Sequence, residues 1–429
     1  MKKWIVWRGV VVVEMFLSLS VVLALSCHAW GVGPSENKGR RDTYSVSTSK
    51  PGYNYYVYVP KSYSDDDPAG IHLYFPGQGG FRSAPDFGTW AKYFLEPYNL
   101  IGINMQYMDG DNLKDTGGKV AAAVEAIAQV NADYKIIRGR GVICSFSGGG
   151  FPHTLMGRKY GMAGASPGEW PFSHAAAYDS NMNSSIKGWA AMSWFVGLGS
   201  KEWGFVRIGP AMTDRAHELF EEAAAGRCQD VYLKFTLDKG HGMSDEDCAE
   251  SAKIFHRSDL ASRAFLYEPD FAGTALEFIV KKANRLELGA AATDLKNLLA
   301  GTSLKPEIRK KAETVQDRID KRVDAVIEVS KDLAQNDPLL WGFYGGVFAK
   351  QLRGHSRFDE FKKIEPPKGK RHDPNWALSL FASDLKTFFA NGPVLSPGTR
   401  ELLEKVKVTA GEQSSLGRMA TEFLMLPDK

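Results

Sequence analysis

The segment Cys-Ser-Phe-Ser-Gly-Gly-Gly at residues 144–150 follows a short apolar run and has the composition of a tight turn. A serine nucleophile at the end of a strand must be lifted clear of the sheet. The sharp turn that does this crowds the residues two before and two after the serine. Around Ser147 these residues are Ser145 and Gly149, both small, whereas centring the turn on Ser145 would crowd the larger Ile143. The pattern predicts Ser147 as a nucleophile, with a plain flexible loop as the alternative.

Two further glycine-containing segments have residue types that would complement an activated serine. The segment YFPGQGG at residues 74–80 ends a strand-like run, and glycines there allow backbone N–H groups to face a developing negative charge. His241 lies between Gly240 and Gly242, after the last strand-like run. An imidazole takes up and returns a proton near neutral pH, which is what a serine nucleophile requires. The alternatives are an ordinary turn and a structural histidine.

The elements around these segments alternate between strand-like and helix-like patterns from about residue 53. This alternation predicts an α/β fold, a mainly parallel twisted sheet with helices on both faces. In such folds the chemistry is carried by loops at the carboxyl ends of the strands, which is where the three segments lie. The strand-like runs, some of them given together with the turn that follows, are residues 53–60, 71–80, 100–107, 139–150, 174–181, 190–199 and 231–242.

Beyond about residue 265 the clear strand-like runs end and amphipathic helical patterns follow. The longest, at residues 305–336, spaces apolar residues at helical intervals and places charged residues between them. We therefore predict an α/β domain at residues 53–264 and a mostly helical C-terminal domain at residues 265–429. The helical part has no recognisable ligand motif, and one hypothesis makes it an interaction module.

The N-terminal residues 1–29 have the layout of a secretory signal peptide, with a basic start, an apolar stretch and then small residues. Residues 30–52 are predicted to be a polar leader. The interpretation is an exported protein, periplasmic or extracellular. A lipoprotein anchored at Cys27 and a retained membrane anchor are the alternatives. The net charge of +3 gives no argument for nucleic acid or an anionic membrane as partner.

Export would place the chain in an oxidising compartment, where disulfides persist. Cys228 and Cys248 bracket the segment that carries His241, so a disulfide between them is one prediction and two buried thiols are the other. The cysteines and histidines show no zinc-site spacing. We therefore predict no metal and no other cofactor.

The turn around Ser147, the glycine segment at residues 74–80 and the position of His241 resemble those of the α/β-hydrolase family. The resemblance covers residues 53–260 and is nearest to secreted serine esterases of the polyhydroxybutyrate-depolymerase and feruloyl-esterase kind. Where the family has G-x-S-x-G, this chain has Ser145 in place of the first glycine. The family's glycine loop begins with a histidine that this chain lacks. The helical C-terminal extension is outside the resemblance.

The resemblance implies a catalytic triad in the chain order Ser147, Glu202, His241. His241 would be the general base. Glu202, which follows the strand before the histidine's own strand, would orient the imidazole and stabilise its protonated form. Asp179 and Asp214 are rival candidates for this acid, and each also has an ordinary interpretation as a surface carboxylate or helix cap.

The resemblance also implies backbone donors for the oxyanion, namely the N–H of Gln78 or Gly79 and the N–H of Gly148. The implied activity is hydrolysis of a small-molecule or polymer carboxylic ester through a covalent acyl-enzyme, without a cofactor. A serine peptidase or amidase on the same fold is one alternative. A non-catalytic binding protein that retains the fold is another.

Overall fold

A computed structural model of the chain describes most of the sequence beyond residue 31. The predicted signal peptide, Gln78, Gly79 and Glu202 therefore lie outside the described residues. The described residues are 32–77, 87–107, 115–160, 172–180, 182, 193–201, 209–225, 228, 230–301, 304–366, 374–391 and 394–429.

Eight strands form one sheet in the order β1-β2-β4-β3-β5-β6-β7-β8. β2 is antiparallel to both of its neighbours, and the other pairings are parallel. The predicted mainly parallel α/β sheet is confirmed. β1 lies in the segment predicted to be a polar leader. The strands are β1 (Tyr44–Ser47), β2 (Tyr53–Tyr58), β3 (Ala69–Phe75), β4 (Leu100–Tyr107), β5 (Ile136–Phe146), β6 (His174–Tyr178), β7 (Ser193–Gly199) and β8 (Asp230–Thr236).

Helices cover both faces of this sheet and continue through the C-terminal part of the chain. The central strands are buried along their whole length, as expected for parallel strands packed on two sides. The helices are α1 (88–98, π-helical over Ala91–Leu95), α2 (Thr116–Asp133), α3 (Gly150–Tyr160), α4 (Gly209–Ala224), α5 (Asp245–Ser262), α6 (Glu277–Asn284), α7 (Leu288–Ala300), α8 (Pro306–Asn336), α9 (Pro338–Leu352), α10 (Phe358–Phe361), α11 (Pro374–Asn391), α12 (Pro397–Ala410) and α13 (Ser415–Leu424).

The C-terminal helices are divided between two hydrophobic clusters. Apolar side chains of α11, α12 and α13 join the core of the sheet. The second cluster is formed by α6, α7, α9 and α10, which pack around α8 together with the end of α5. The division of the chain into two domains at residue 264 stays a prediction. The cluster around the sheet draws on both sides of that boundary.

Helix α13 covers the outer edge of β8, the last strand of the sheet. The backbone N–H of Phe235 donates to Oε2 of Glu422 at 2.9 Å, and the N–H of Leu233 lies 3.1 Å from Sδ of Met419. An uncovered edge strand presents unpaired backbone groups to other chains. Side chains of α13 take the place of a ninth strand here.

Cys228 and Cys248 are free, buried thiols, so the predicted disulfide is wrong for this structure and the two-thiol alternative describes it. Cys228 precedes the first residue of β8, and Cys248 lies in the first turn of α5, after the loop that follows β8. A seven-residue strand spans roughly 20 Å, whereas bridged cysteines have Cα atoms within about 7 Å. Burial raises the pKa of both thiols above the ordinary value.

Within the described residues, no helix has both the length and the apolar character needed to cross a membrane.

Candidate active site

Ser147 stands at the sharp turn between β5 and α3. Its backbone φ is 51°, in the left-handed region that residues other than glycine rarely adopt. The chain ends β5 at Phe146, makes one 3₁₀ turn over Ser147–Gly149 and enters α3 directly. A serine held in this conformation costs on the order of 1 kcal/mol, and such strain concentrates at functional sites. This is the turn that the sequence pattern around Ser147 predicts.

The two small residues that flank Ser147 are small for different reasons. A Cβ on Gly149 would lie 2.2 Å from the carbonyl oxygen of Phe75, so no side chain fits there. Ser145 is fully buried, and its Oγ lies 2.7 Å from Nδ1 of His153 and accepts a hydrogen bond from Oγ of Ser180 at 2.9 Å. A serine is therefore accommodated where the family pattern has glycine, because its hydroxyl has partners on both sides.

The glycine segment after β3 lies against the serine turn. A Cβ built on Gly77 would come within 3.1 Å of Cβ of Ser147. The two segments meet because β3 and β5 are parallel neighbours, with Phe75 opposite Ser145 in the register. Gln78 and Gly79, the predicted oxyanion donors of this segment, lie outside the described residues. Gly148, the third predicted donor, directly follows Ser147 in the 3₁₀ turn.

His241 lies in an exposed loop after β8 and next to the serine turn. The centroid of its ring is 4.7 Å from that of Phe146, the residue before Ser147. Strands β5 and β8 are three positions apart in the sheet, so the loop after β8 must cross the ends of β6 and β7 to make this contact. The structure thus brings together the turn and the histidine that the sequence analysis selected.

Asp179 holds the histidine loop in this position. It follows β6, is fully buried and has a φ of 41°. Its Oδ2 accepts the N–H of Gly242 at 2.9 Å, and its Oδ1 accepts the N–H of Gly199 at 3.1 Å. One carboxylate therefore links the end of β6, the end of β7 and the residue after His241. This makes Asp179 a positioning residue for His241 as well as a rival acid.

A second carboxylate, that of Asp247 in the first turn of α5, also contacts the loop that carries His241. Asp247 is fully buried and accepts hydrogen bonds from Nζ of Lys239 at 2.5 Å and from the N–H of Ser244 at 3.0 Å. Burial alone would raise the pKa of Asp247, but these bonds outweigh it and hold the pKa below the ordinary value. Nζ of Lys239 is also 3.8 Å from Oδ2 of Asp179, so one ammonium group serves both carboxylates.

The remaining candidates for the triad acid lie at or beyond the limits of the described chain. Glu202 itself lies outside the described residues. Its neighbour Lys201 donates its backbone N–H to the carbonyl of Lys239 at 3.0 Å, which joins the segment after β7 to the histidine loop. Asp214 lies in α4, and its side chain is outside the described residues.

The sequence analysis did not single out His153, Ser180 or Lys239. The one signal for His153 was the departure from the family pattern at Ser145, since a serine buried in a strand requires a hydrogen-bond partner. Lys239 gave no signal, because a lysine two residues before a histidine has no characteristic pattern. Among the described residues, no group of three histidine, cysteine, aspartate or glutamate side chains is placed to hold a metal ion.

The strand order and the serine turn after β5 define an α/β-hydrolase fold, with additional helices at its C-terminal side. No family model matches the chain, and no curated protein matches it. Solved structures with similar folds include an acetyl xylan esterase from Aspergillus awamori, at 14% identity and a TM-score of 0.36 over 50% of this chain and 99% of that one.

Two other similar structures cover about the same share of the chain. A siderophore hydrolase from Aspergillus nidulans is 15% identical, with a TM-score of 0.37, over 54% of this chain and 99% of that one. A carboxylesterase from Bacillus cereus is 13% identical, with a TM-score of 0.35, over 49% of this chain and 96% of that one. Identities and TM-scores this low do not support an assignment of activity, and the fold is assigned from the strand order.

Proposed function

We propose that this protein is a serine hydrolase that cleaves carboxylic esters through a covalent acyl-enzyme. The observation that carries the proposal is the left-handed backbone of Ser147 in contact with the glycine segment after β3, with the ring of His241 4.7 Å from that of Phe146, the residue before Ser147. Backbone strain at Ser147 has a cost, and a histidine and a glycine loop beside a serine held in this way form the arrangement that activates it.

In the proposed mechanism, Oγ of Ser147 attacks the ester carbonyl while His241 takes the hydroxyl proton. The negative charge on the tetrahedral oxygen is held by the N–H of Gly148 and by that of Gln78 or Gly79. His241 then gives its proton to the leaving alkoxide, which departs as the alcohol. Water, activated by the same imidazole, hydrolyses the acyl-enzyme and restores Ser147.

We propose Glu202 as the acid that orients His241, and Asp179 as a positioning residue for the loop that carries His241. Asp179 accepts the backbone N–H groups of Gly199 and Gly242, which ties the loop after β8 to the ends of β6 and β7. The link between Lys201 and the histidine loop supports the assignment of Glu202, because it draws the end of β7 toward His241. The chain order of nucleophile, acid and base is then that of α/β-hydrolases.

The test is fluorophosphonate labelling of the purified protein with peptide mapping, beside turnover of a short-chain nitrophenyl ester. We expect one adduct, on Ser147, and loss of both adduct and turnover in Ser147→Ala. Ser145→Ala is the matched control and should retain the adduct on Ser147. An unlabelled but folded protein would favour the binding-protein alternative. Faster cleavage of matched anilides than of esters would favour a peptidase or amidase.

Export to the periplasm or the cell exterior is part of the same proposal, and its support is the pattern of residues 1–29. A polymer or small-molecule ester outside the cytoplasm would then be the substrate. Fractionation of the native cells with N-terminal sequencing of the mature protein tests this. A mature chain that begins near residue 27 or 30 is expected, and a lipid-modified Cys27 would support the lipoprotein alternative.

A further inference from the structure

The loop that carries His241 joins β8 to α5. It follows Thr236, the last residue of β8, and ends at Asp245, the first residue of α5, so His241 lies near its middle. Gly240 and His241 are exposed. Glycine restricts the backbone less than any other residue, and His241 has a glycine on each side. The position of the imidazole therefore depends on how the rest of the loop is held.

The side chain of Lys239 connects the first half of this loop to two buried carboxylates. Its Nζ lies 2.5 Å from Oδ2 of Asp247, in the first turn of α5, and 3.8 Å from Oδ2 of Asp179, which follows β6. Both carboxylates are fully buried, and 14% of the Lys239 side chain is exposed. Salt screens shielded ion pairs much less than pairs at the surface. One ammonium group thus links the residue two before His241 to the helix after it and to the end of β6.

The backbone of Lys239 is held in place as well. Its carbonyl oxygen accepts the N–H of Lys201 at 3.0 Å. The same oxygen packs against Gly199, the last residue of β7, so closely that no side chain would fit on that glycine. Because the main chain of Lys239 is fixed at the end of β7, the ion pairs of its side chain direct the course of the residues that follow.

The same two carboxylates hold the second half of the loop. Oδ2 of Asp247 also accepts the N–H of Ser244 at 3.0 Å, and Oδ2 of Asp179 also accepts the N–H of Gly242 at 2.9 Å. On each carboxylate, the oxygen nearest to Lys239 therefore binds a backbone N–H that follows His241. Displacement of a reacting group by about 1 Å can lower a reaction rate by about 100-fold, so these contacts matter for a general base.

We propose that Lys239 is a positioning residue for His241, because its ammonium group holds the two carboxylates that fix the loop after the imidazole. The proposal rests on the proposed hydrolase function, in which His241 is the general base. Lys239 acts through Asp179 and Asp247, and it takes no part in the proton transfer itself.

Lys234 provides a matched control on one of these carboxylates. Its Nζ is 3.3 Å from Oδ1 of Asp247, and 14% of its side chain is exposed, the same fraction as for Lys239. Lys234 belongs to β8, so its ion pair does not restrain the loop that carries His241. Replacement of either lysine leaves Asp247 paired with the other one. Neither variant therefore strands this buried carboxylate without a cation, which would be strongly destabilising.

The kinetic test compares ester hydrolysis by Lys239→Met and Lys234→Met. Methionine removes the charge and keeps an unbranched side chain. Lys239→Met should lower kcat about tenfold or more and leave KM within about threefold of the wild type, because the base is displaced and the substrate-binding groups are untouched. Lys234→Met should keep both constants within about twofold of the wild type. Equal losses of kcat in the two variants would overturn the proposal.

Two further substitutions at Lys239 complete the kinetic test. Lys239→Arg keeps a cation long enough to reach both carboxylates and should recover most of the kcat that Lys239→Met loses. An arginine variant as slow as the methionine variant would contradict the role of the cation. Lys239→Gln, which is polar and uncharged, replaces Lys239→Met if that variant does not fold. The same expected and contradicting outcomes then apply to it.

Hydrogen exchange measures how firmly the loop is held, without reference to catalysis. The N–H of Gly242 is bound to Asp179, so its exchange rate reports opening of the loop. Lys239→Met should speed exchange in a peptide that covers residues 240–243 about tenfold or more, whereas Lys234→Met should not. Unchanged exchange in Lys239→Met would overturn the proposal.

Together the measurements separate this proposal from the proposed function. A wild type that neither hydrolyses esters nor reacts with a fluorophosphonate would show that the hydrolase function is wrong, and the positioning of a base would be wrong with it. An active wild type with an equally active Lys239→Met would leave the function intact and contradict the role of Lys239. Slower turnover and faster exchange, both confined to the variants that lack a cation at residue 239, would support both.

Discussion

The hydroxyl of Ser145 lies 2.7 Å from Nδ1 of His153, so the serine that replaces a family glycine is tied to the helix behind the nucleophile. Burial lowers the pKa of His153 to about 3, which keeps the imidazole neutral at neutral pH. The ring is nearly parallel to that of Trp194, with centroids 5.8 Å apart. The hydrogen bond between Ser145 and His153 therefore fixes the position of α3 relative to the turn at Ser147.

Ser145→Ala should destabilise the protein without moving the nucleophile. The change deprives His153 and Ser180 of a buried partner, which costs about 1–3 kcal/mol in the free energy of unfolding. Urea unfolding followed by circular dichroism measures this. Ser62→Ala, at an exposed serine, is the control and should stay within about 0.5 kcal/mol of the wild type. Equal stability of the two variants would contradict the proposed role of Ser145.

Ser147→Gly should be more stable than Ser147→Ala, although both should lack esterase activity. The φ of 51° at this position is tolerated by glycine and costs alanine about 1 kcal/mol or more. Urea midpoints of the two variants, with matched slopes, give the difference. If alanine were as stable as glycine, Ser147 would not hold a strained backbone and the proposed turn would be wrong.

Asp179→Asn and Glu202→Gln should have different effects if Glu202 is the triad acid. An amide has one acceptor oxygen for the N–H groups of Gly199 and Gly242, so Asp179→Asn should cost about 1–3 kcal/mol in stability and lower kcat through misplacement of His241.

Glu202→Gln should instead lower kcat by about 10⁴-fold, with stability within about 0.5 kcal/mol of the wild type. Ester kinetics and urea unfolding of both variants test this. A near-normal kcat in Glu202→Gln, with a 10⁴-fold loss in Asp179→Asn, would assign the acid to Asp179.

Glu422 should make the protein less stable as the pH rises from about 4.5 to 7. Burial raises its pKa to about 7 in the folded chain, against an ordinary value of 4.5, although hydrogen bonds from Phe235 and Tyr232 act in the opposite direction. Because the folded state binds the proton more tightly, the resulting stabilisation is complete below pH 4.5 and is lost through pH 7.

Glu422→Gln removes this titration, so the difference in melting temperature between wild type and variant should change between pH 5 and pH 8. The wild type should lose more stability than the variant over this range. Glu404→Gln, at an exposed position on α12, is the control and should follow the wild type. A constant difference at all pH values would show that Glu422 does not titrate in this range.

The parallel sheet and the turn at Ser147 were predicted from the sequence, because both depend on local geometry. Buried strands require apolar runs, and the tight turn requires small residues at fixed spacing. It did not predict that Cys228 and Cys248 lie near opposite ends of β8. The number of residues between two cysteines does not show how far apart in space the strand between them places the two thiols.

The contacts of Asp179 could not be predicted from the sequence either. A carboxylate that accepts two backbone N–H groups from distant loops leaves no characteristic pattern in the residues next to it. The C-terminal helical periodicity indicated helices correctly. It could not show that α13 packs on β8, because an amphipathic face does not identify its partner.

The cover over β8 has a consequence for the way the protein is made. Leu233 and Met419 are 186 residues apart in the sequence, so β8 is synthesised long before α13, the helix that covers its edge. During that interval the nascent sheet has an open edge capable of joining another chain, and such edges promote aggregation. The chain is therefore exposed to this kind of aggregation until α13 has folded onto β8.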